Sequence, residues 1–203
     1  MAQFATHDEF GARIGLTLTS DEQTRADTLL TMASGLIQEE TKQKIELVTD
    51  DSYSRPGSYD TRVRLPERPV VSVSAVTLNG TALVPGQSYF VDRDELCRMN
   101  WNSVVQDSSF GLPWAGWGFP WWTLAVVYTH GYATIPQLVK TVTMEAVARV
   151  WANPGAVIQE TIAGVQTTYA PFAQPPRGLL LTDSEKKELN KLLRKHSSSI
   201  ALR

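Results

Sequence analysis

The sequence predicts an α+β fold, a small helical bundle carrying a β-rich insertion near residues 45–130. Three observations carry this. Ala26, Leu29, Leu30, Ala33, Leu36 and Ile37 recur at three- and four-residue spacing, the stripe of an amphipathic helix. Helical spacing stops near Ile45, where alternation and turn signals begin, and Asn79-Gly80 is the strongest hairpin marker in the chain. It returns at Pro136, a favoured first-turn residue, with Val139, Val142, Ala146, Val147, Val150 and Trp151 on one face. The bundle therefore comprises the N-terminal helices, a helix near 136–152 and a C-terminal helix. Residues 1–203 form a single domain in which 1–44 and 131–203 make the helical part.

Taken in order, Thr6 caps a short helix through Ile14, with Glu9 at the capping-box position and Gly15 at its end. Thr19 or Ser20 caps the longer helix, which carries Asp21 and Glu22 in its first turn and runs to about Gln43. Arg62–Leu65 alternates, and Leu65-Pro66-Glu67-Arg68-Pro69 is too proline-rich for a helix. Val71, Val73 and Val76-Thr77-Leu78 read as a strand entering the Asn79-Gly80 turn. Tyr89-Phe90-Val91 reads as a second strand, followed by a solvated turn at Asp92–Glu95 and a strand from Leu96. Trp122–His130 is the last apolar strand. Asn153-Pro154-Gly155 stops the helix begun at Pro136, and 156–181 reads as loop or short strands, Val165–Tyr169 among them. Thr182, with Glu185 three residues on, caps a final helix with Leu189, Leu192 and Leu193 on one face.

Composition narrows the function. A chain of 203 residues buries roughly 70% of its unfolded surface, so it needs no disulfide or metal staple. Cys97 is the single cysteine, which excludes an internal disulfide framework. The start MAQFATHDEF lacks a basic, then apolar, leader, and no run of about 18 apolar residues exists, so a cytosolic protein without a membrane span is expected. The net charge of −2 is unevenly spread: Arg177–Arg203 carries +4 and the preceding residues −6. An acidic body with a basic tail suggests that the two ends meet different surroundings.

No nucleophile elbow, phosphate loop, dinucleotide fingerprint or zinc-protease motif occurs. His7, His130 and His196 sit in unrelated contexts, and none has a second ligand at metal spacing. Cys97, alone in a strand, reads as a small buried hydrophobe. Asp92, Asp94 and Glu95 lack the glycine and distant glutamate of a calcium loop. The expectation is no enzyme, with no catalytic residue, metal or cofactor. An unrecognised enzyme would have to use Cys97 or His130.

The stretch Trp114-Ala-Gly-Trp117-Gly-Phe-Pro-Trp121-Trp122 stands out, with four of the six tryptophans in nine residues. It reads as a loop covering the sheet, as an interaction surface through Trp114, Trp117, Phe119 and Trp121, or as a sugar platform. The last would make the chain a glycan-binding module.

The whole pattern resembles the head-tail connector, or adaptor, proteins of the neck of tailed bacteriophages. The carrying residues are Phe10-Gly-Ala-Arg13-Ile-Gly15, Leu18-Thr19, Ala26-Asp-Thr-Leu29-Leu30, Leu65-Pro66-Glu-Arg68-Pro69-Val70, Val73, Val76, Tyr128-Thr-His-Gly131-Tyr132 and Ile135-Pro136. Their order and spacing carry the likeness over most of residues 4–152, and more weakly to the C-terminal helix. The tryptophan-rich stretch departs from the pattern. The resemblance implies a structural virion protein, made in the host cytoplasm and forming a dodecameric ring in the neck. That ring would join the portal protein of the DNA-filled head to a tail-proximal neck or tail-terminator protein and let the genome pass. It implies portal docking by the C-terminal segment, through Lys186, Lys187, Leu189, Lys191, Leu192, Leu193, Arg194 and Lys195. Contact with DNA would be transient, and no membrane is involved. An acidic body suits such a channel, because phosphate-binding lysines would hold passing DNA back.

Overall fold

The computed structural model describes residues 3–99, 116–152, 159–162, 165–168 and 179–195. The elements are α1 (His7–Ile14), α2 (Ser20–Thr41), β1 (Val48–Pro56), β2 (Arg62–Arg64), β3 (Val70–Leu78), β4 (Thr81–Ala82), β5 (Tyr89–Asp92), β6 (Glu95–Arg98), β7 (Thr123–His130), α3 (Gln137–Ala152), β8 (Gln159–Ile162), β9 (Val165–Thr168) and α4 (Asp183–Lys195). The fold is α+β, as the sequence predicts. The chain divides into two compact units, one of residues 1–42 and 135–192, the other of 43–134 and 193–203.

The first unit holds the helices. The predicted capping box of α1 forms, Thr6 with Glu9, and of the two candidate caps of α2 it is Thr19 that takes the position, its N–H donating to Glu22 at 2.9 Å. Gly15 ends α1 in the left-handed conformation, and Lys42 does the same for α2, whose last residue, Thr41, falls two short of the expected end. The α2 stripe is buried at Ala26, Leu30, Ala33 and Ile37, with Leu29 half-buried beside Phe10, Met144 and Val147. Ser34 is also buried; its hydroxyl donates to the Leu30 carbonyl and accepts the Phe4 N–H at 3.0 Å. Phe10 meets the Trp151 ring edge-on at 5.5 Å, and the Arg25 guanidinium lies 4.6 Å over the same indole. Glu9–Lys140 and Arg13–Glu145 join α1 to α3. Val165–Thr168 of the expected strand at Val165–Tyr169 form β9, paired in antiparallel register with β8, and Tyr169 lies outside the described residues.

The second unit is built of two antiparallel sheets, ordered β1-β7-β3-β4 and β2-β6-β5. Period-two alternation decides which side chains point inward. On β7, Leu124, Val126, Tyr128 and His130 are buried while Ala125, Val127 and Thr129 are half-exposed. Val63, Leu65, Val76, Leu78, Tyr89 and Leu96 join them in one core that also takes in Trp117. The Asn79-Gly80 turn forms with both residues at positive φ, 48° and 81°, as a two-residue hairpin requires.

One strand carries no sequence signal of its own and one expectation changes. β1 lies in the β-rich insertion, but VTDDSYSRP lacks apolar alternation. It forms because its backbone pairs with β7 along one edge, with a register shift between Val48 and Asp51 and Asp50 at φ 51°. The Asp92–Glu95 turn is not wholly solvated. Asp94 is 4% exposed, since its carboxylate accepts the Val70 N–H at 3.1 Å and its carbonyl the Leu65 N–H at 3.0 Å.

Candidate interface surfaces

Two loops of the second unit build an aromatic surface. The Gly57 N–H donates to the Trp122 carbonyl and the Trp117 N–H to the Ser58 carbonyl, both at 2.8 Å, lacing 57–59 to 116–122. Side chains are excluded there: a Cβ at Gly57 would strike the Phe119 carbonyl, and one at Gly116 would lie 2.6 Å from the Tyr59 carbonyl oxygen. Gly118 sits at φ 81° with the Trp122 ring against its α-carbon.

This lacing sorts the aromatic residues. Trp117 is fully buried: its Nε1–H donates to the Thr61 carbonyl at 3.2 Å, and Tyr89 and the Arg98 guanidinium lie against its ring. Burial also draws the Arg98 guanidinium below its usual range. Trp117 is thus a core residue and is withdrawn from the expected interface. Its indole turns inward because it fills the core beside Tyr89 while its N–H still finds an acceptor in the Thr61 carbonyl. Trp121 is the reverse, 71% exposed, and stacks on half-buried Phe119 at 4.3 Å and 19°. Phe119 meets Trp122 edge-on at 5.4 Å and Tyr59, itself 59% exposed, at 6.4 Å and 76°. Tyr59 went unread at the sequence level; it lies 60 residues from Phe119 and only the β1–β7 pairing brings them together. Trp114 lies outside the described residues.

The C-terminal helix presents a second surface. Thr182 and Glu185 form the expected capping box, and Glu185 also pairs bidentately with Arg149 of α3, at 2.7 and 3.0 Å. Burial pushes the Glu185 carboxyl up, but its bonds to Arg149 and Thr182 outweigh this and hold it below its usual range. Lys186 reaches Glu40 of α2 at 3.2 Å. Leu189 is fully buried and Leu193 nearly so, so both face the chain's own interior and are withdrawn as free docking contacts. An amphipathic helix on a globular unit buries its apolar stripe locally before any partner arrives. Lys187 and Lys191 are exposed and Leu192 is half-buried; the side chains of Arg194 and Lys195 lie outside the described ones.

Cys97 and His130, the two residues named for an unrecognised enzyme, are both buried. Cys97 is buried, and burial pushes its thiol up, away from the nucleophilic thiolate. His130 is fully buried, its Nε2 3.0 Å from Asp51 Oδ2, which also accepts from Lys44 Nζ at 2.7 Å. The Lys44 and His130 bonds bring the Asp51 carboxyl down to about 2 and raise the Lys44 ammonium. Burial pushes the neighbouring Tyr128 phenol up to about 12, although the Glu67 N–H donates to its oxygen. This network ties β1, β7 and the segment after α2 together.

Asp51 makes a measurable prediction. Its folded value lies below its usual 3.8, so its contribution is complete above about pH 4 and is lost as pH falls toward 2. The side chain is 27% exposed, and solvent screening brings the contribution to about 1–2 kcal/mol. Asp51→Asn should therefore lose about that much stability at pH 7 and almost none at pH 2, read from urea midpoints at both pH values. Equal losses at the two would remove the charge argument.

Among the described residues no group of three or more His, Cys, Asp or Glu side chains could hold a metal ion, and no helix is long and apolar enough to cross a membrane. No protein-family model matches the chain, and no curated protein matches it in sequence. Solved structures do resemble it in fold. A chain in the neck of an empty gene transfer agent particle, computed with C6 symmetry, aligns with a TM-score of 0.50 at 15% identity, covering 93% of this chain and 92% of that one. A chain in the virion of a native gene transfer agent particle aligns at 0.47 and 14% identity, covering 86% of each.

Proposed function

We propose that the chain is a non-catalytic structural protein of a phage-like particle, and that copies of it form a ring in the neck between portal and tail. The observation that carries the reading is the fold shared, over 93% of this chain, with a chain of the gene transfer agent neck. The ordered run of residues resembling tailed-phage connectors supports it independently. So does the use of Cys97 and His130 as buried packing and bonding groups rather than as a reactive pair. That similar neck was computed with C6 symmetry, and a dodecamer is compatible with a sixfold axis.

In this reading the exposed lysines of α4, Lys187 and Lys191, with Arg194 and Lys195 following them in sequence, dock on an acidic face of the portal protein. The aromatic surface around Trp121 meets a neighbouring copy, and the far side of the ring receives a tail-proximal neck or tail-terminator protein. DNA passes along an acidic body that offers it few phosphate contacts.

Light scattering of the purified chain, alone and with its cognate portal, tests the ring. A species of about twelve copies in either mixture is expected, and monomers in both would end the proposal. Docking has its own readout. Replacing Lys187, Lys191, Arg194 and Lys195 by Gln should weaken portal binding at least tenfold at low salt and flatten its salt dependence. Binding with an unchanged salt slope would move the portal contact elsewhere.

A further inference from the structure

The helical unit carries a cleft and, elsewhere on its surface, a helix face that matches it. The cleft, of about 380 Å³, is lined from α1 by Glu9, Ala12 and Arg13 and from α3 by Lys140, Thr141 and Met144. Ala12 and Met144 give it apolar surface, and Met144 is almost wholly withdrawn from solvent. Lys140 bonds Glu9 at 2.6 Å and Arg13 bonds Glu145 at 2.8 Å. Each cation spends one donor on that bond, and an ammonium has three and a guanidinium five. The lining therefore keeps donors to spare and a net positive charge, Arg13 and Lys140 against Glu9.

α2 presents the counterpart. Ala26, Leu30 and Ala33 fix one face of α2 on the core it shares with Phe10 of α1 and Val147 of α3. Thr28, Met32, Gly35 and Glu39 recur at four- and three-residue spacing on the other face. Met32 is 59% exposed. A lone exposed methionine would mean little, but its neighbours make a docking face of it. The Thr24 and Thr28 hydroxyls are spent on the Ser20 and Thr24 carbonyls, at 3.0 and 2.9 Å, so neither needs a bond from outside. Gly35 weakens a helix interior, yet it puts no side chain in the way of another backbone. Glu39, exposed, stands two turns beyond Met32, about 10 Å along the axis. Methionine itself is flexible enough to fill an irregular cleft.

We propose that Met32 of one copy enters the α1–α3 cleft of the next, with Thr28 and Gly35 against the two helices and Glu39 at the Arg13–Lys140 rim. The face points away from the core in which α2 meets α1 and α3, so it cannot fill the cleft of its own chain. A helix laid in an apolar groove is a recurrent mode of recognition. A contact between two different patches repeats head to tail, the kind that closes into a ring. The inference rests on the ring reading and names a contact between helical units that this reading leaves open.

Disulfide trapping tests it. Thr141 lines the cleft and the natural Cys97 is buried, so Met32→Cys and Thr141→Cys in one chain should link copy to copy on air oxidation. Non-reducing gels of the chain with its cognate portal should show a ladder of linked copies, absent from either single variant. Met32→Glu should weaken assembly on the portal at least tenfold, and Glu39→Gln about threefold at low salt and less at high salt. Both side chains lie in solvent, so both variants should fold normally, and circular dichroism checks this. A portal-bound ring without the cross-link, or assembly unchanged by Met32→Glu, overturns the proposal. An equal ladder from Met32→Cys alone would pair this face with itself, and overturns it too. The two readings fail separately: a ring without the cross-link removes this contact alone, whereas a ladder without a closed ring on the portal removes the ring alone. Monomers throughout remove both.

Discussion

Trp117→Ala is expected to cost about 3–5 kcal/mol of folding stability, the range for truncating a fully buried tryptophan. Several losses combine. The indole vacates the space between the two sheets beside Tyr89, the Thr61 carbonyl keeps only the Arg98 N–H of its two donors, and Arg98 loses the ring beneath its guanidinium. Gly116 and Gly118 hold the loop backbone close to its neighbours, so the cavity cannot close by collapse. Trp117→Phe, which keeps most of the volume and drops the N–H, should lose about 1–2 kcal/mol. Trp121→Ala, only four residues on, should lose about 1 kcal/mol or less, the worth of its stacking on Phe119. Urea denaturation of the three variants gives the ordering directly. A Trp117→Ala midpoint equal to that of Trp121→Ala would mean that the indole is not a core residue.

Arg149→Leu is expected to cost about 3 kcal/mol, because it strands the buried Glu185 carboxylate without its partner. The more exposed pairs Arg13–Glu145 and Arg64–Glu95 should each be worth less than about 1 kcal/mol when broken. The double variant Arg149→Leu, Glu185→Leu should recover most of the loss, since it removes the unpaired charge together with its partner. The pH response separates charge from packing. In the natural chain the Glu185 carboxyl is held low, so its contribution is present above its usual 4.5 and lost as pH falls below it. In Arg149→Leu only the Thr182 bonds still oppose burial, so the variant should lose less stability than the natural chain as pH falls through 4.5. A loss as large as that of the natural chain would contradict the charge argument.

The helical unit was legible residue by residue. The signals that start α1, α2 and α4 are local: a hydroxyl residue and a glutamate three residues on satisfy N–H groups that the helix itself leaves open. The Asn79-Gly80 turn was legible for the same reason, as positive φ is tolerated by few residues. β1 was not, because an edge strand of Asp, Ser and Arg is held by the backbone of β7 and carries no periodic apolar signal of its own. Asp94 shows the converse: a charged residue in a turn reads as solvated until a distant N–H, that of Val70, is found against it.

The interface residues divide along the same line. Composition and order alone established an α+β chain, an acidic body with a basic end, a tryptophan-rich stretch and the connector-like run of residues. Which tryptophan faces inward was decided only by tertiary structure. Trp117 and Trp121 are chemically identical, and each has a glycine or a proline beside it in sequence. They differ because the Thr61 carbonyl and Tyr89 wait between the sheets for one, while the other is carried out past Phe119 into solvent. The leucines of α4 follow the same rule. Their stripe announces an apolar face, but not what covers it, and in this fold Leu189 is covered by the protein itself.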